Sequence, residues 1–491
     1  MSTEQPVASE KMPSYFRNWI SFAGLALAGA SLFSFLLLFV LDSVRHGQSP
    51  YMGILTYLVV PAFLIAGLAL TGVGWWLRRR QVRRDGTLAG AKDLTIDLAH
   101  PRDRKILVGF SIGVLCFLLL SAVGSYQTYH FTESVQFCGQ LCHTVMEPEF
   151  VTYQHGSHAR VTCTECHIGS GATWFVRSKL AGSYQVYATM AKKYPTPIPT
   201  PVHNLRPAQD TCERCHWPKK FVGNLDRTYN YFLGEETNTF FSMRMVMRVG
   251  GADPSHGPVG GIHWHMNVGN KVEYIATDPA RQKIPWVRTI NAQGVVTEYR
   301  AKGFTNDISQ YTLRSMDCVD CHNRPAHVYK SPNDAVNLAM SLGKIDARLP
   351  WVKTNAVFIL TQPYATKEAA AQKIASFLGA KYPGPSGQAA IDVVQQIYQE
   401  NFFPLMKASW KNYPNNIGHK DWPGCFRCHD DKHLAKDGKQ SIKGNECNTC
   451  HVILAQGSGK ELEQLEAKGQ KFKHPGGDYD GLCNDCHTGG P

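Results

Sequence analysis

The chain has 491 residues, enough for about two to four domains. Its formal net charge is +12, but no stretch interleaves aromatic and basic residues as nucleic-acid-binding segments do, so we expect no nucleic-acid partner. The 15 cysteines are the most informative part of the composition.

Three long uncharged runs at the start of the chain predict three transmembrane helices. They are Trp19–Leu41, Tyr51–Leu77 and Ile106–Tyr129. The stretch after the second run is strongly basic, whereas the stretch after the first contains only Arg45. By the positive-inside rule, the N-terminus and the basic loop face the cytoplasm of a bacterium, and the chain after the third helix is periplasmic. Cys116, inside the third run, is interpreted as an apolar packing residue.

Beyond the third run, the cysteines occur in pairs, each followed at once by His. This is the pattern of covalent c-type haem attachment, in which two thiols bind the haem and the His ligates its iron. Six motifs are C-x-x-C-H, and the first has three residues between its cysteines. The seven groups are Cys138/Cys142/His143, Cys163/Cys166/His167, Cys212/Cys215/His216, Cys318/Cys321/His322, Cys425/Cys428/His429, Cys447/Cys450/His451 and Cys483/Cys486/His487.

Zinc ribbons and disulfides are the alternative interpretations of paired cysteines, but neither requires His directly after the second Cys. The sequence therefore predicts seven covalent haems. Haem attachment takes place outside the cytoplasm, which agrees with the orientation predicted from charge. The haem propionates would also offset much of the positive charge.

The remaining His and one Met supply candidates for the sixth iron ligand. Their number exceeds the need, so nothing forces an iron to stay five-coordinate, and this favours electron transfer over chemistry at the metal. For the pair His263 and His265, at least one is expected to be a ligand. The candidates are Met146, His158, His203, His263, His265, His327, His419, His433 and His474.

The predicted fold is mostly α-helical with much irregular structure, because the chain wraps its haems. Alternating runs predict a small β element within 225–315, and a charged helix is expected near Lys460–Lys471. Helical spacing in Asp334–Leu342, Thr366–Leu378 and Gln388–Phe402 predicts a helical connector, and Ala172–Met190 is the clearest helix among the early motifs. The predicted domains are 1–104 with two transmembrane helices and the basic loop, 105–330 with the third helix, four motifs and the 225–315 insert, 331–410 as the connector, and 411–491 with three motifs.

Residues 105–330 resemble the NapC/NirT family of membrane-anchored quinol dehydrogenases, which includes NrfH- and CymA-type cytochromes. The likeness lies in the helix that runs into the first motif, in Cys163-Thr-Glu-Cys-His-Ile168, in Ser178-Lys-Leu-Ala-Gly-Ser183 and in Cys318-Val-Asp-Cys-His-Asn-Arg-Pro-Ala-His327. The layout of three spans and seven motifs also resembles the ImcH type of heptahaem inner-membrane cytochrome. The chain departs from NapC/NirT in its extra helices, its extra motifs and Gln185, where the family has an acidic residue.

The NapC/NirT resemblance implies roles for individual residues. Met146 would ligate the first haem, His327 the third and His158 the fourth. Lys179 matches a Lys that lies at the family's quinol site or reaches the second haem, and it could instead balance the charge of a propionate. A proton acceptor must lie near the quinol hydroxyls. The candidates are Lys179, Glu147, Glu149 and Tyr126.

Two classes of function fit these observations. In the first, the chain is a quinol dehydrogenase-type oxidoreductase that takes electrons from membrane menaquinol near the first haem. It would pass them to a periplasmic cytochrome or reductase, or to extracellular respiration. In the second, it is a terminal reductase of a small oxyanion such as nitrite, with one open iron. A redox sensor or an electron-transfer subunit of a larger respiratory complex is a further alternative.

Overall fold

The computed structural model contains two units that are described separately. One comprises Met1–Ser134 and Ile168–Ser183, and the other Val135–His167 and Tyr184–Pro491. The residues described are 15–16, 18–44, 59–85, 98–141, 143–169, 172–202, 206–217, 222–250, 260–266, 269–475 and 477.

The first unit contains three long helices, α1 (Trp19–Val44), α2 (Val60–Asp85) and α3 (Pro101–Thr132). Two of them are long and apolar enough to cross a membrane in the part described, within Trp19–Leu36 and Val60–Arg84. Small residues let α1 and α2 approach closely, as is common between membrane helices. A Cβ added to Gly24 would lie 2.5 Å from the Thr71 nitrogen. The predicted third span falls within α3, and its membrane crossing stays a prediction.

Helices, most of them short, lie at or beside the early motifs. They are α4 (Val135–Gln140), α5 (His143–Gln154), α6 (Cys163–His167), α7 (Ala172–Met190), α8 (Ala208–Thr211) and α9 (Cys318–Cys321). Only α5 and α7 exceed two turns, and α7 has the predicted bounds. The rest of this segment is largely irregular, in agreement with a chain that wraps its cofactors.

The predicted β element is present as two antiparallel sheets. Its strands are β1 (Leu225–Phe232), β2 (Phe240–Met247), β3 (Lys271–Ile275), β4 (Trp286–Ile290), β5 (Val296–Ala301), β6 (Arg314–Ser315), β7 (His433–Ala435) and β8 (His451–Gly457). One sheet has the order β1-β2-β8 and the other β6-β3-β4-β5-β7. β7 and β8 come from the C-terminal segment, so that segment completes sheets that begin in the 225–315 insert.

A helical block follows the fourth motif and contains the main hydrophobic core. Its helices are α10 (Pro332–Ser341), α11 (Val352–Thr361), α12 (Lys367–Lys381) and α13 (Pro385–Asn401). Val336, Leu360 and Ile374 are among its fully buried side chains. Three of these helices were predicted. α11 was missed because its sequence is apolar over most of its length and shows little helical period.

The charged helix expected near Lys460–Lys471 was a wrong prediction. The structure has only a short 3-10 helix, Gly459–Glu463, followed by irregular chain. The backbone N–H groups of Glu466 and Gln470 donate to the carbonyls of Leu454 and Ile453, at 2.9 and 2.8 Å. Pairing with β8 therefore takes up the hydrogen bonds that a helix would have made internally.

Candidate haem-binding site

Five pairs of His rings lie within the unit that comprises Val135–His167 and Tyr184–Pro491. In each pair, the His of a motif faces a second His. An imidazole nitrogen binds a metal at about 2.0–2.1 Å, so two imidazoles on opposite sides of one ion have ring centres roughly 6 Å apart. The observed centroid distances cluster at this value. The pairs are His167 with His327 at 6.4 Å, His216 with His158 at 6.0 Å, His322 with His263 at 6.4 Å, His429 with His265 at 5.9 Å and His451 with His419 at 6.2 Å.

Hydrogen bonds at Nδ1 hold several of these rings in place. Nδ1 of His158 bonds the Pro325 carbonyl at 2.9 Å, and Nδ1 of His429 bonds the Lys443 carbonyl at 3.0 Å. Metal-ligating His residues commonly donate their second ring N–H to a carbonyl in this way, which fixes the tautomer. Burial also lowers the pKa of His429 and favours the neutral form that can bind a metal.

The geometry favours other pairings than the two assignments that the family resemblance implied. His158 faces His216 of the third motif rather than the fourth, and His327 faces His167 of the second motif rather than the third. The reason lies in the chain after the fourth motif. This short tail both carries His327 and holds His158 through the Pro325 carbonyl.

Helix α5 supports both of these distal His residues. Nδ1 of His327 lies 2.9 Å from the Glu149 carbonyl. The Tyr153 hydroxyl lies 2.8 and 2.9 Å from the carbonyls of Ala159 and Val161, and so holds the loop that carries His158. One helix directly after the first motif therefore positions ligand candidates of the second and third.

The candidate iron ligand His433 has a protein partner at each ring nitrogen. Its Nδ1 lies 2.8 Å from Asp430 Oδ1 and its Nε2 lies 2.7 Å from the Ile284 carbonyl. These contacts disfavour His433 as an iron ligand. The buried side chain instead joins the fifth motif to the loop before β4.

His263 and His265 face two different partners. His263 faces His322 of the fourth motif, and His265 faces His429 of the fifth. Both are therefore ligand candidates, and they point to different motifs.

The seventh motif lies outside the described residues, so the structure does not place it. Cys483, Cys486 and His487 all follow residue 477, the last residue described. The covalent haem predicted on Cys483 and Cys486, and its ligation by His487, therefore stay predictions. The candidate sixth ligand His474 is described, with Nδ1 2.8 Å from the Pro475 carbonyl. His203, a candidate for another iron, also lies outside the described residues.

The first motif packs tightly against α5. Gly139, between its cysteines, is buried, and a Cβ there would overlap Cδ2 of Phe150. Glycine is thus required for this close approach. Met146 is half-buried on α5. Cys142 and the side chain of His143 lie outside the description, so the ligation of this iron stays a prediction.

Electrostatic influence links the thiols of successive motifs in the order of the sequence. Cys138 lowers the pKa of Cys163, and Cys318 raises the pKa of Cys212. Burial and, to a smaller extent, a thiol of the neighbouring motif raise the pKa of Cys166, Cys321 and Cys450; the neighbouring thiols are Cys215, Cys425 and Cys425. Neighbours in sequence among the first six motifs are therefore also near each other in space.

Buried polar groups near the motifs also fit a bound haem. Arg324, two residues after His322, is buried, yet its Nε and Nη2 have no hydrogen-bond partner in the described part of the chain. A haem propionate is the kind of anion that such a guanidinium binds. In contrast, no three His, Cys, Asp or Glu side chains of the described residues gather as a metal site, which a zinc ribbon would require.

The predicted quinol-site residues are only partly described. The side chains of Lys179, on α7, and of Tyr126, on α3, lie outside the description. The Glu147 carboxylate is 2.7 Å from Nζ of Lys367, so it takes part in an ion pair with α12. Sequence reasoning missed this pair because its partners are 220 positions apart.

Comparison with known proteins agrees with this geometry. The family model of the NapC/NirT cytochrome c family, N-terminal region, matches residues 101–210. The cytochrome c-type protein ImcH of Geobacter sulfurreducens is 40% identical over 97% of this chain and 96% of its own. The cytochrome c-type protein NrfH of Wolinella succinogenes is 28% identical over 26% of this chain and 72% of its own. No solved structure matches.

The repeated motifs, the facing His rings and these similarities define a multihaem c-type cytochrome that carries covalent haem. Two apolar helices near its start anchor it in a membrane. Within that class, the chain belongs to the family of the cytochrome c-type protein ImcH, with a NapC/NirT-like N-terminal region. Its general activity is electron transfer.

Proposed function

We propose that this chain carries seven haems, oxidises a quinol of the menaquinol type at the periplasmic face of the inner membrane, and delivers the electrons to a periplasmic or extracellular-respiration acceptor. The observation that supports the proposal most is the set of five facing His pairs, which gives the second to sixth motifs two candidate iron ligands each. Haems held in this way on successive motifs, which follow the membrane-anchored segment in the sequence, suit a conduit.

The seventh haem of this proposal rests on sequence alone, because Cys483, Cys486 and His487 complete a C-x-x-C-H motif beyond the described residues. The intact mass of the purified protein counts the covalent haems. We expect seven in the wild type and six in a Cys483→Ser/Cys486→Ser double variant. A wild-type mass with six haems would contradict attachment at this motif.

The protein's own residues have three tasks in this proposal. When bound, the haems supply one-electron redox chemistry. Motif cysteines would fix each haem covalently, and the five facing His pairs would supply imidazole ligands to the irons of the second to sixth motifs. Carbonyl groups such as those of Glu149 and Lys443 fix the tautomer and the orientation of the imidazoles.

The quinol site is proposed at Lys179, Met146, Tyr126 and Glu147. Oxidation of a quinol removes two electrons and two protons, so a residue there must accept or relay protons. Glu147 is already paired with Lys367, which makes Lys179 the first residue to test. Lys179 lies in the stretch that resembles the NapC/NirT motif and within the region matched by the family model.

The test is stopped-flow reduction of the purified, detergent-solubilised protein by a menaquinol analogue, followed by haem absorbance. We expect fast reduction of the wild type, with Lys179→Gln slower by about tenfold or more, equivalent to about 1.4 kcal/mol in the barrier. Lys193→Gln is the matched control, because this exposed lysine directly follows the same helix and its Nζ donates to the Tyr187 hydroxyl at 3.0 Å.

Dithionite should reduce all variants fully, which shows that their haems are intact. A wild-type protein that dithionite reduces but the menaquinol analogue does not would disprove quinol oxidation. If Lys179→Gln and Lys193→Gln are reduced equally fast, the proposed location of the quinol site is wrong.

The alternative of a terminal oxyanion reductase requires an iron with an open position. The five facing His pairs disfavour it for the second to sixth motifs, because each would fill both axial positions. Turnover of nitrite by the purified protein, together with a high-spin haem signal, would support the reductase and contradict the conduit.

A further inference from the structure

The short 3-10 helix Ile262–Met266 presents His263, Trp264 and His265 from the 225–315 insert, a segment beyond the region that the NapC/NirT model matches. Its base is held by close backbone contact. Gly261 has φ of +71°, and a Cβ there would overlap the Arg248 carbonyl oxygen, so only glycine fits. The Ile262 N–H donates to that same carbonyl at 2.8 Å.

The two His rings are fixed individually. Nδ1 of His263 bonds the Val249 carbonyl at 3.1 Å, and Nδ1 of His265 bonds the Ile262 carbonyl at 2.9 Å. This arrangement is typical of metal-ligating His, whose second ring nitrogen commonly bonds a carbonyl. Trp264, between the two His residues, packs against the small core of the five-stranded sheet and so anchors the turn.

The rings face proximal His residues of two different motifs, with different relative orientations. His263 and His322 are nearly parallel, with 7° between their planes. His265 and His429 are nearly perpendicular, at 82°. The centroid distances of 6.4 and 5.9 Å suit one metal between each pair.

Hydrogen bonds independently hold the same two motifs together. The carbonyl of Asp320, inside the fourth motif, accepts from Asn416 Nδ2 at 2.9 Å and from Arg427 Nη2 at 2.7 Å. Arg427 lies inside the fifth motif, and its Nη1 donates to the Arg281 carbonyl of the insert at 2.9 Å. The fourth motif, the fifth motif and the insert therefore form one hydrogen-bonded junction.

We propose that the turn His263-Trp264-His265 is a double ligand donor, which supplies the sixth ligand to the irons of both the fourth and the fifth motif. The insert thereby joins the NapC/NirT-like motifs to the C-terminal motifs. This inference rests on the haem attachment in the proposed function and is independent of quinol oxidation.

The test uses the full-length purified protein and electron paramagnetic resonance of the oxidised haems, which distinguishes axial ligand geometries. Nearly parallel imidazoles give a rhombic low-spin signal, and nearly perpendicular ones give a low-spin signal with a large maximal g value. We expect His263→Met to remove one rhombic signal and His265→Met to remove one large-g signal. Met can still bind iron, so each variant should fold, and one haem should show a raised midpoint potential.

His155→Met is the matched control. The Nδ1 of this exposed His also bonds a carbonyl, that of Val151, but its ring faces no motif His among the described rings. It should leave every haem signal and potential unchanged. The proposal is overturned if either turn variant behaves like this control, or if both variants change the same haem signal. These readings do not involve a quinol, so failure here and failure of quinol oxidation are separate results.

Discussion

The helical block α10–α13 and the motif-bearing segment Val135–Trp217 are held together in different ways. The block has helices of 10 to 17 residues around a continuous core of buried side chains. The motif segment has several helices of only 4 to 6 residues, and few of its apolar side chains are buried. The block is stabilised by packing of its own side chains, whereas the motif segment depends on its covalent cofactors for an interior.

The largest expected effect is loss of a haem attachment. Replacing Cys212 and Cys215 by Ser should prevent the third haem from binding and unfold the surrounding motif segment. Limited proteolysis should then cut within 135–217, while the helical block stays resistant. Cys116→Ser serves as the control and should change neither haem content nor proteolysis. Equal protease resistance of the double variant and the wild type would contradict the difference between the two regions.

A core substitution in the helical block should destabilise the block without changing the haems. Leu360, 1% exposed, lies in the centre of the core. Leu360→Ala should lower the free energy of unfolding of the block by about 2–5 kcal/mol, because it leaves a cavity. Chemical denaturation followed by circular dichroism measures this, and the haem absorbance of the folded protein should remain that of the wild type. Altered haem absorbance would show that the two regions are not independent.

Lys353 gives the block a dependence on pH. Burial, and then the neighbouring Lys420, lowers the pKa of Lys353 from its ordinary 10.5 to about 7. Between pH 7 and 10.5 the unfolded chain therefore binds more protons than the folded chain, so the free energy of unfolding rises with pH over this range. Below pH 7 Lys353 is protonated in both states, and the cost of burying its charge is constant. Lys353→Met should raise the free energy of unfolding of the block by roughly 1–3 kcal/mol at about pH 6 and by little near pH 10.

The control for this experiment is Lys373→Met, at an exposed lysine of α12. Its effect on the free energy of unfolding should not vary with pH. Asn337 Oδ1, which accepts from Lys353, also accepts from the Phe232 N–H at 3.0 Å, so it keeps a partner in the Met variant. If Lys353→Met raises the free energy of unfolding equally at about pH 6 and near pH 10, the pKa of Lys353 is not lowered.

The smallest expected effect is at a helix cap. Thr366 caps α12, and its Oγ1 accepts from the Ala369 N–H at 3.2 Å. Thr366→Ala should cost about 1 kcal/mol of block stability, whereas Thr366→Ser should cost less because the hydroxyl is kept. Denaturation midpoints of the two variants give the comparison, and equal midpoints would show that the cap contributes nothing.

The sequence predicted those features that depend on local pattern. Haem attachment motifs, α7 and three helices of the block follow from spacing and periodicity along a few turns. The strands of the insert follow from alternation. In contrast, β8 was missed. Its seven residues begin with His451, the His of the sixth motif, and its partner strand β2 lies far away in the chain.

The ligand candidates show the same limit more sharply. His433 and His419 both lie close to the fifth motif in sequence, yet only His419 faces a motif His. The difference arises because the Ile284 carbonyl reaches Nε2 of His433 from 149 positions away. A short-range pattern carries no information about such a contact, so sequence spacing alone could not separate the two residues.

The order of strands in the first sheet has a consequence for how the chain folds as it is made. β1 and β2 pair early, but the exposed edge of β2 is covered only by β8, and Arg248 at the end of β2 donates to the Asn448 carbonyl 200 positions later. Until that late segment emerges, β2 has an open edge, which is prone to pair with other chains. Completion of the sheet therefore depends on synthesis of almost the whole chain, and a chain that stops before His451 would retain the bare edge.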